Sequence, residues 1–175
     1  MSREHLEFTK VSLADLEQLR QLSRSTFVKA FGAQNNPEDL QAYLDKAFNN
    51  EALKMELLEL HSEFWFAKLS GETIGYFKIN FEDAQTDLRE PDAMELERIY
   101  VIEEFQNRGF GQKILDAVIE MAIQRQMRYL WLGVWEKNSR AIRFYERNKF
   151  KIIGSHPFWV GKDLQTDILM KLELK

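Results

Sequence analysis

The chain contains 175 residues, which suits one domain with a sizeable core, and we predict a single domain spanning residues 1–175. Its 45% hydrophobic and 30% charged residues are typical of a soluble globular protein, and the absence of cysteine excludes disulfides and thiolate catalysis. No apolar run approaches the ~20 residues of a membrane span, and residues 1–8 lack a signal peptide's apolar region, so we expect a cytoplasmic protein without a membrane partner. The net charge of −4 disfavours nucleic acid and favours a cationic partner.

The first half of the chain is predicted to form a strand, three helices and a β-hairpin. Ser12 and Asp15 resemble a capping box, and apolar residues follow at helical spacing as far as Phe31. Phe27 and Phe31 are interpreted either as core residues or as the wall of a substrate pocket. Pro37 is well placed to begin the next helix. The predicted bounds are strand 5–11, helices 13–31, 38–48 and 51–60, hairpin strands 64–69 and 73–81, and an acidic loop over 82–92.

The second half is predicted to alternate strands and helices. Residues 94–101 have the pattern of a strand with one apolar face and one face that carries Glu97. A glycine-containing loop leads from it into a helix that starts at Gly109. The remaining elements are strand 129–134, a short helix over 138–148 with Asn138 as its N-cap, and strands 150–158 and 164–174. The predicted fold class is therefore α/β, an α+β mixed sheet flanked by helices on both faces.

The loop before the helix at Gly109 has the composition of an anion-binding site. Its two glycines let the backbone turn tightly, and the first N–H groups of a helix lack intrahelical partners. Arg108 and Lys113 add positive charge, which suits a phosphate or pyrophosphate. The G-x-G spacing alone fits an ordinary strand-to-helix turn equally well. It is neither a P-loop, since no Gly-Lys-Ser/Thr follows, nor the dinucleotide motif, since position 114 is Ile.

Two motifs that follow one another in the sequence favour the anion-binding interpretation of this loop over an ordinary turn. Written out, they are Gln106-x-x-Gly109-x-Gly111 and Asn138-x-x-Ala141-x-x-Phe144-Tyr145. Together they resemble the signatures of the GNAT N-acetyltransferases, over residues 64–174 and more loosely over the whole chain. The resemblance implies the GNAT acyl-CoA N-acyltransferase fold, acetyl-CoA as the cofactor, and direct transfer of its acetyl group to an amine. Because many members are dimers, it also implies a homodimer formed through the C-terminal strands.

The resemblance implies cofactor contacts on three stretches of the chain. The backbone of residues 106–112 would cradle the pyrophosphate, and the pantetheine arm would follow the 94–101 strand, with the N–H near Val101 as oxyanion donor. Asn138 would contact the arm as well as cap its helix. Arg147 would reach the cofactor's phosphates, unless it is a solvated surface charge. The implied cofactor-binding residues are Ile99, Tyr100, Val101, Gln106, Asn107, Arg108, Gly109, Phe110, Gly111, Gln112, Asn138, Tyr145 and Arg147.

Tyr145 and Glu97 are the candidate catalytic residues under this resemblance. A phenol titrates near ~10 and a thiol near ~8.5, so a neutral Tyr145 can protonate a nascent thiolate; the alternative is a core tyrosine beside Phe144. Glu97 is the candidate base, directly or through water, because a glutamate at this Leu-Glu position is the proposed base in related polyamine acetyltransferases. Glu95, one strand period away on the same face, is its competitor. The alternative for Glu97 is an ion pair with a nearby lysine or arginine.

The segment after Tyr145 departs from the family pattern. Where the family has glycine before a final phenylalanine, this chain has Lys149 before Phe150. That glycine suits a left-handed helix end. Because asparagine tolerates this conformation, we expect Asn148 to adopt it, with the turn shifted by one residue.

Four segments, at 34–38, 47–49, 131–138 and 165–167, resemble the bacterial spermidine/spermine acetyltransferases of the PaiA type, which implies a small cationic amine as acceptor. Trp135 or Trp159 would then contact an ammonium group or its methylene chain. Acidic residues would line an anionic groove, or else form a solvated face. Those acidic residues are Glu38, Asp39, Glu82, Asp83 and Glu97.

Two other hypotheses stay open beside the polyamine one. An acetyltransferase for protein N-termini or lysines would have an open, peptide-wide groove. A CoA-binding regulatory module without turnover would have lost Tyr145 or the loop glycines, and both are present. We predict no metal site, because His5, His61 and His156 are scattered in the sequence. We interpret His156 as structural, with a place in the acceptor pocket as the alternative.

Overall fold

The computed structural model describes residues 5–174, and its strands form one seven-stranded mixed sheet in this range. The strands are β1 (Leu6–Lys10), β2 (Ser62–Leu69), β3 (Glu72–Phe81), β4 (Ala93–Val101), β5 (Tyr129–Trp135), β6 (Lys151–Val160) and β7 (Asp163–Glu173). Their order across the sheet is β1-β2-β3-β4-β5-β7-β6. Among these described strands β4 and β5 pair in parallel and the other neighbours are antiparallel. The predicted mixed sheet is confirmed.

Five α-helices flank the sheet in the described part of the chain. They are α1 (Leu16–Phe31), α2 (Pro37–Ala47), α3 (Asn50–Leu58), α4 (Phe110–Gln124) and α5 (Ser139–Arg147). A 3-10 turn precedes α1, and the Asp15 carboxylate accepts hydrogen bonds from the N–H and hydroxyl of Ser12 at 2.8 and 3.0 Å, as the capping-box pattern predicted. Within residues 5–174 no helix is both long enough and apolar enough to span a membrane.

Two apolar cores lie on opposite faces of the sheet. On one face α4 packs Phe110, Ile114 and Val118 against β4 and β5. On the other face α1 and α2 pack Leu19, Phe27 and their neighbours against Phe64 and other residues of β2 and β3. Each large apolar side chain buried in this way contributes about 1.5–3 kcal/mol, so the amphipathic helices hold the sheet from both sides.

A β-bulge interrupts β4 next to Glu97. The pairing with β3 shifts between Lys78–Arg98 and Ile79–Leu96, so Glu97 is one extra residue on β4. Leu96 before the bulge and Ile99 after it therefore both pack into the core on the α4 side. Strict alternation would have placed Ile99 on the face that carries Glu97. The sequence predicted the extent of this strand but missed the bulge.

β4 and β5 separate after a short stretch of pairing. Their parallel pairs run only from Ala93–Tyr129 to Glu95–Trp131. Farther along, β4 remains bonded to β3 and β5 remains bonded to β7, so the sheet stays held on both sides while a cleft opens between the two central strands.

The end of α5 corrects the expectation for Asn148. Asn148 has φ −86°, and Lys149 itself adopts the left-handed conformation with φ +69°. The N–H groups of Lys149 and Phe150 donate to the carbonyls of Glu146 and Tyr145 at 2.9 and 3.0 Å, which is the Schellman arrangement that glycine usually completes. The turn is not shifted. Asn148 instead exchanges side-chain hydrogen bonds with Gln112 of α4, at 2.7 and 3.0 Å.

Candidate active site

The cleft between β4 and β5 opens into a cavity of about 1380 Å³. Pockets for small molecules usually measure roughly 300–1,000 Å³, so this one has room for a large ligand together with a second, smaller one. It is lined by β4, the loop into α4, β5 and α5 at one end, and by α1, β6 and β7 at the other. All the residues implied as cofactor contacts line it except Arg108 and Phe110.

The loop that enters α4 has an open backbone surface on the cavity. Gly109, the N-cap residue of α4, has φ +81°, a conformation that favours glycine. A Cβ atom built at Gly109 or Gly111 would meet nothing within 4 Å, so both positions face free space. The Gln106 side chain donates to the Val101 carbonyl at 2.9 Å, and Arg140 donates to Asn107, which fixes the loop to β4 and α5. An open backbone surface at a helix N-terminus has the geometry that suits an anion.

Arg108 and Phe110 hold this loop from behind. Phe110 is 2% exposed and lies in the core. The Arg108 guanidinium lies 5.1 and 5.2 Å from the ring centroids of Phe105 and Phe110. The sequence interpretation used the backbone of residues 106–112 and also the charge of Arg108, but the side chains of Arg108 and Phe110 do not line the cavity.

Asn138 and Tyr145 on α5 both line the cavity and both have structural partners. The Asn138 side chain accepts the Ala141 N–H at 3.2 Å, so it caps α5 as predicted. Tyr145 lies between the rings of Phe144 and Phe150, at centroid distances of 5.3 and 5.5 Å. Burial raises the pKa of Tyr145, so its phenol carries its proton at neutral pH. Tyr145 is thus a core tyrosine whose protonated side chain also lines the cavity.

Glu97 and Glu95 share one amide but have different surroundings. Asn80 Nδ2 donates to Glu97 at 2.7 Å and to Glu95 at 3.0 Å, so both carboxylates lie on one face, as predicted. Glu97 also pairs with Lys78 at 2.5 Å and with Arg98 at 3.3 Å, which is the ion-pair alternative. Burial acts to raise the pKa of Glu97, but the charges of Arg98 and Lys78 outweigh it and lower the pKa to about 2.

Glu95 is almost fully buried and is held by the 82–92 loop. It is 2% exposed and accepts from the N–H and the hydroxyl of Thr86 at 2.8 and 2.6 Å. Burial raises its pKa, and the neighbouring charge of Glu97 adds to the rise. Glu97, whose side chain keeps 20% exposure, is therefore the carboxylate that a ligand reaches more easily.

Aromatic rings line the end of the cavity away from the cradle. Phe27 stacks on Tyr43 at 4.7 Å, Tyr43 contacts Phe158 at 5.7 Å, and Phe31 contacts Trp135 at 5.9 Å. Both interpretations of Phe27 are therefore correct, since it lies in the core cluster and also lines the cavity. Of the two tryptophans proposed to contact an acceptor, Trp135 lines the cavity, whereas Trp159 is outside it and 58% exposed.

The β6–β7 hairpin is tied to the turn between α1 and α2. Gln165 donates to the Asn35 side chain at 2.6 Å, and the Lys162 N–H donates to Asp39 at 2.8 Å. Two of the four PaiA-like segments, 34–38 and 165–167, meet in this way at the rim of the cavity.

The acidic residues that line the cavity differ from those predicted from the sequence to line a groove. Of the five acidic residues proposed, Glu97 lines the cavity and the other four do not. Asp167 and His156 line it instead. His156 Nδ1 lies 2.8 Å from Asp87 and its Nε2 lies 3.6 Å from Asp167. The Gln165-Thr166-Asp167 segment was the sequence signal for Asp167, but nothing in the sequence placed it beside His156.

A cluster outside the cavity bears on the prediction that the chain has no metal site. Glu59, His61 and Asp83 bring one ligand atom each within 4.8 Å of the others, and His61 Nδ1 lies 2.6 Å from Asp83. The spacing of the histidines in the sequence did not reveal this grouping. Exposed acidic groups commonly cluster without binding an ion, and none of the three residues lines the cavity.

A family model described as Acetyltransferase (GNAT) family matches residues 16–150. The chain belongs to the GNAT family. It is 38% identical over 169 residues, covering 97% of this chain and 98% of the other, to an uncharacterized N-acetyltransferase of Lactobacillus delbrueckii subsp. lactis. It is 34% identical over 64 residues to the spermine/spermidine N(1)-acetyltransferase of Bacillus subtilis, covering 36% of this chain and 42% of the other.

Solved GNAT structures share the whole fold. The PaiA N-acetyltransferase from Thermoplasma acidophilum, determined in complex with coenzyme A, superposes with a TM-score of 0.78 at 20% identity, covering 97% of this chain and 99% of that chain. This GNAT chain is thus an acetyl-CoA-dependent N-acetyltransferase. The residues present fit that cofactor, since the open glycine cradle suits a diphosphate and the strip at Ile99 and Val101 suits an apolar arm.

Proposed function

We propose that this enzyme transfers the acetyl group of acetyl-CoA to a primary amine of a polyamine such as spermidine or spermine. The composition of the acceptor end carries the proposal, because aromatic rings and the carboxylates Glu95, Glu97 and Asp167 line the same space. A polyamine alternates ammonium groups, which carboxylates and aromatic faces attract, with methylene chains, which aromatic faces pack against. The partial similarity to the spermine/spermidine acetyltransferase of Bacillus subtilis supports the same acceptor.

In this proposal Glu97 binds the incoming ammonium, and the proton of the ammonium goes to water. At neutral pH, removing the proton of an amine with a pKa near 10.4 to solvent costs about 4 kcal/mol. Direct transfer to Glu97 would cost more than transfer to solvent, because the charges of Arg98 and Lys78 hold the pKa of Glu97 far below neutral pH. Glu97 therefore acts as the charged group that draws the amine in and orients the water, while the solvent holds the proton.

Tyr145 acts at the leaving group. Bound acetyl-CoA supplies the thioester carbonyl. As the amine nitrogen forms its bond to that carbon and the carbon–sulfur bond breaks, Tyr145 gives its phenolic proton to the sulfur; the nitrogen releases its surplus proton to solvent, and Tyr145 regains one from solvent. The backbone N–H near Val101 donates to the carbonyl oxygen as negative charge develops there.

The test is the release of free thiol from acetyl-CoA with spermidine, spermine, a lysine-containing peptide and no acceptor. We expect release with the two polyamines, and a Tyr145→Phe variant with kcat lowered by about 10²- to 10⁴-fold and an unchanged KM for acetyl-CoA. Tyr129→Phe is the matched control, because Tyr129 is 1% exposed and lies outside the cavity.

The other possible results of this assay would support one of the two alternative hypotheses. Release with the peptide alone would replace the polyamine by a protein acceptor and keep the acetyltransfer. Binding of acetyl-CoA without release in any arm would favour the regulatory-module hypothesis. The homodimer stays a prediction, which analytical ultracentrifugation would test.

A further inference from the structure

We propose that Asp167 binds a second ammonium group of the acceptor, so that the enzyme selects aliphatic amines that carry at least two positive charges. The inference deepens the proposed function and rests on it, since Glu97 is taken to hold the ammonium that reacts. Asp167 lies on β7 and Glu97 on β4, with β5 between them. Two interstrand spacings amount to roughly 10 Å in a paired sheet, and the opening between β4 and β5 beyond Glu95 makes the separation larger. A polyamine extends that far, whereas a short monoamine does not.

Asp167 is a partly buried carboxylate with little compensation. Its side chain is 17% exposed, and its basic partner is His156, whose Nε2 lies 3.6 Å away. Burial raises the pKa of Asp167 even though the contact with His156 acts in the opposite direction. Desolvating a carboxylate without a fully charged partner costs free energy, and a bound ammonium group would offset that cost.

The space over Asp167 is kept open by a glycine. Gly133 lies on the neighbouring strand β5, and a Cβ atom built there would come within 3.5 Å of Asp167 Oδ2 and 3.7 Å of His156 Nε2. A longer side chain at position 133 would occupy the space in front of the Asp167 carboxylate and the His156 imidazole. Gly133 itself lines the cavity, so a ligand in the cleft reaches the carboxylate past it.

His156 is a positioning residue in this arrangement. The imidazole lies between Asp87 and Asp167, with Asp87 at 2.8 Å from Nδ1. Two carboxylates against one imidazole leave a net negative charge whether or not the ring is protonated. Glu95, the other acidic group on this side, is already held by Thr86 and Asn80. The Asp87–His156–Asp167 group therefore leaves an anionic point at the acceptor end.

Putrescine and n-butylamine have chains of equal length and differ in their number of ammonium groups, so comparing them tests the assignment. We would measure kcat and KM for these two amines and for spermidine with wild type, Asp167→Asn and Asp92→Asn. Asp92 pairs with Arg128 on the surface and lies outside the cavity, so it controls for the loss of one carboxylate. Isothermal titration of spermidine into the enzyme saturated with CoA gives a readout that does not require turnover.

We expect wild type to favour putrescine over n-butylamine by about 10- to 100-fold in kcat/KM, and Asp167→Asn to lose that preference through KM. The KM for acetyl-CoA should stay unchanged, which separates the effect from misfolding. His156→Gln should weaken the preference only partly, because Asp167 remains.

The outcomes distinguish this inference from the proposed function. If polyamines are acetylated and Asp167→Asn retains the full preference for the diamine, the anchor is wrong and the polyamine function stands. If no polyamine is acetylated but spermidine binds the CoA complex in an Asp167-dependent manner, the function is wrong and the cation site stands. If spermidine neither binds nor reacts, both are wrong.

Discussion

A Cβ atom at Gly75 would lie 2.3 Å from the carbonyl oxygen of Tyr100, so β3 and β4 approach each other more closely than any residue but glycine permits. Gly75 pairs in register with Val101, whose Cα would lie 3.2 Å from the same added atom. β3 thus holds in place the segment of β4 whose backbone N–H we assign to the thioester oxygen. The sequence analysis missed this approach, which an isolated glycine inside a strand can signal.

Gly75→Ala is expected to push β4 away at Tyr100. We expect a loss of about 1–3 kcal/mol in the free energy of unfolding and a raised KM for acetyl-CoA, because the added methyl meets backbone that has no rotamer to change. Denaturant titration and steady-state kinetics measure the two effects. Gly154→Ala on β6 is the control, since a Cβ atom there meets nothing within 4 Å. Equal behaviour of the two variants would contradict the close-approach explanation.

Gly111→Ala should separate stability from cofactor binding. Position 111 lies in the first turn of α4 and faces open space, so alanine should leave the fold unharmed or stabilise it by about 0.5–1 kcal/mol. The same methyl occupies the surface that we assign to the pyrophosphate. We therefore expect KM for acetyl-CoA to rise by about 10- to 100-fold. An unchanged KM would place the phosphates elsewhere.

Lys149→Gly should stabilise the protein. Lys149 has φ +69°, a conformation that costs a residue other than glycine about 1–2 kcal/mol. Part of the relief is cancelled by the greater freedom of glycine in the unfolded chain, so we expect a net gain of about 0.5–1 kcal/mol, or roughly 1–4 °C in Tm. Lys149→Ala keeps the strained conformation and serves as the control. A gain of the same size with alanine would assign the effect to the lost charge.

Glu97 should make stability depend on pH in the acid range. Its pKa is about 2 in the folded protein against an ordinary value of 4.5, so the folded state binds the proton less readily than the unfolded state. This stabilisation, on the order of 3 kcal/mol, is present above pH 4.5 and disappears as the pH falls toward 2. Glu97→Gln should therefore be less stable than wild type at pH 7, and the two should converge in acid.

Glu17 provides the control for this experiment. Its pKa is also lowered to about 2, chiefly by the hydrogen bond from Arg20, but the pair is exposed on α1. Solvent screens such pairs, so Glu17→Gln should change the pH profile of unfolding far less than Glu97→Gln. Similar profiles for the two variants would mean that the ion pairs of Glu97 contribute no more than a surface contact.

The cradle and α5 could be predicted because their signals are local in sequence. The helix starts at Gly109 and Asn138 depend on the backbone within a few residues, so they could be predicted from spacing, whereas the cofactor role of these residues came from the family resemblance. The bulge at Glu97 could not be predicted in this way, because it is a mismatch with β3 and not a property of β4 alone. Lys149 was misassigned because propensity favoured Asn148, whereas the hydrogen bonds with Gln112 keep Asn148 out of the left-handed region.

The sequence by itself determined the helices, the strands and the order of the two motifs, and hence the GNAT family, since these depend on periodicity and on spacing within short segments. The tertiary structure alone decided which charges meet. Asp87, His156 and Asp167 come from a loop and two strands, and Lys78, Glu97 and Arg98 from two paired strands. Electrostatic interactions depend on distance in space and on burial, and neither is encoded by separation along the chain.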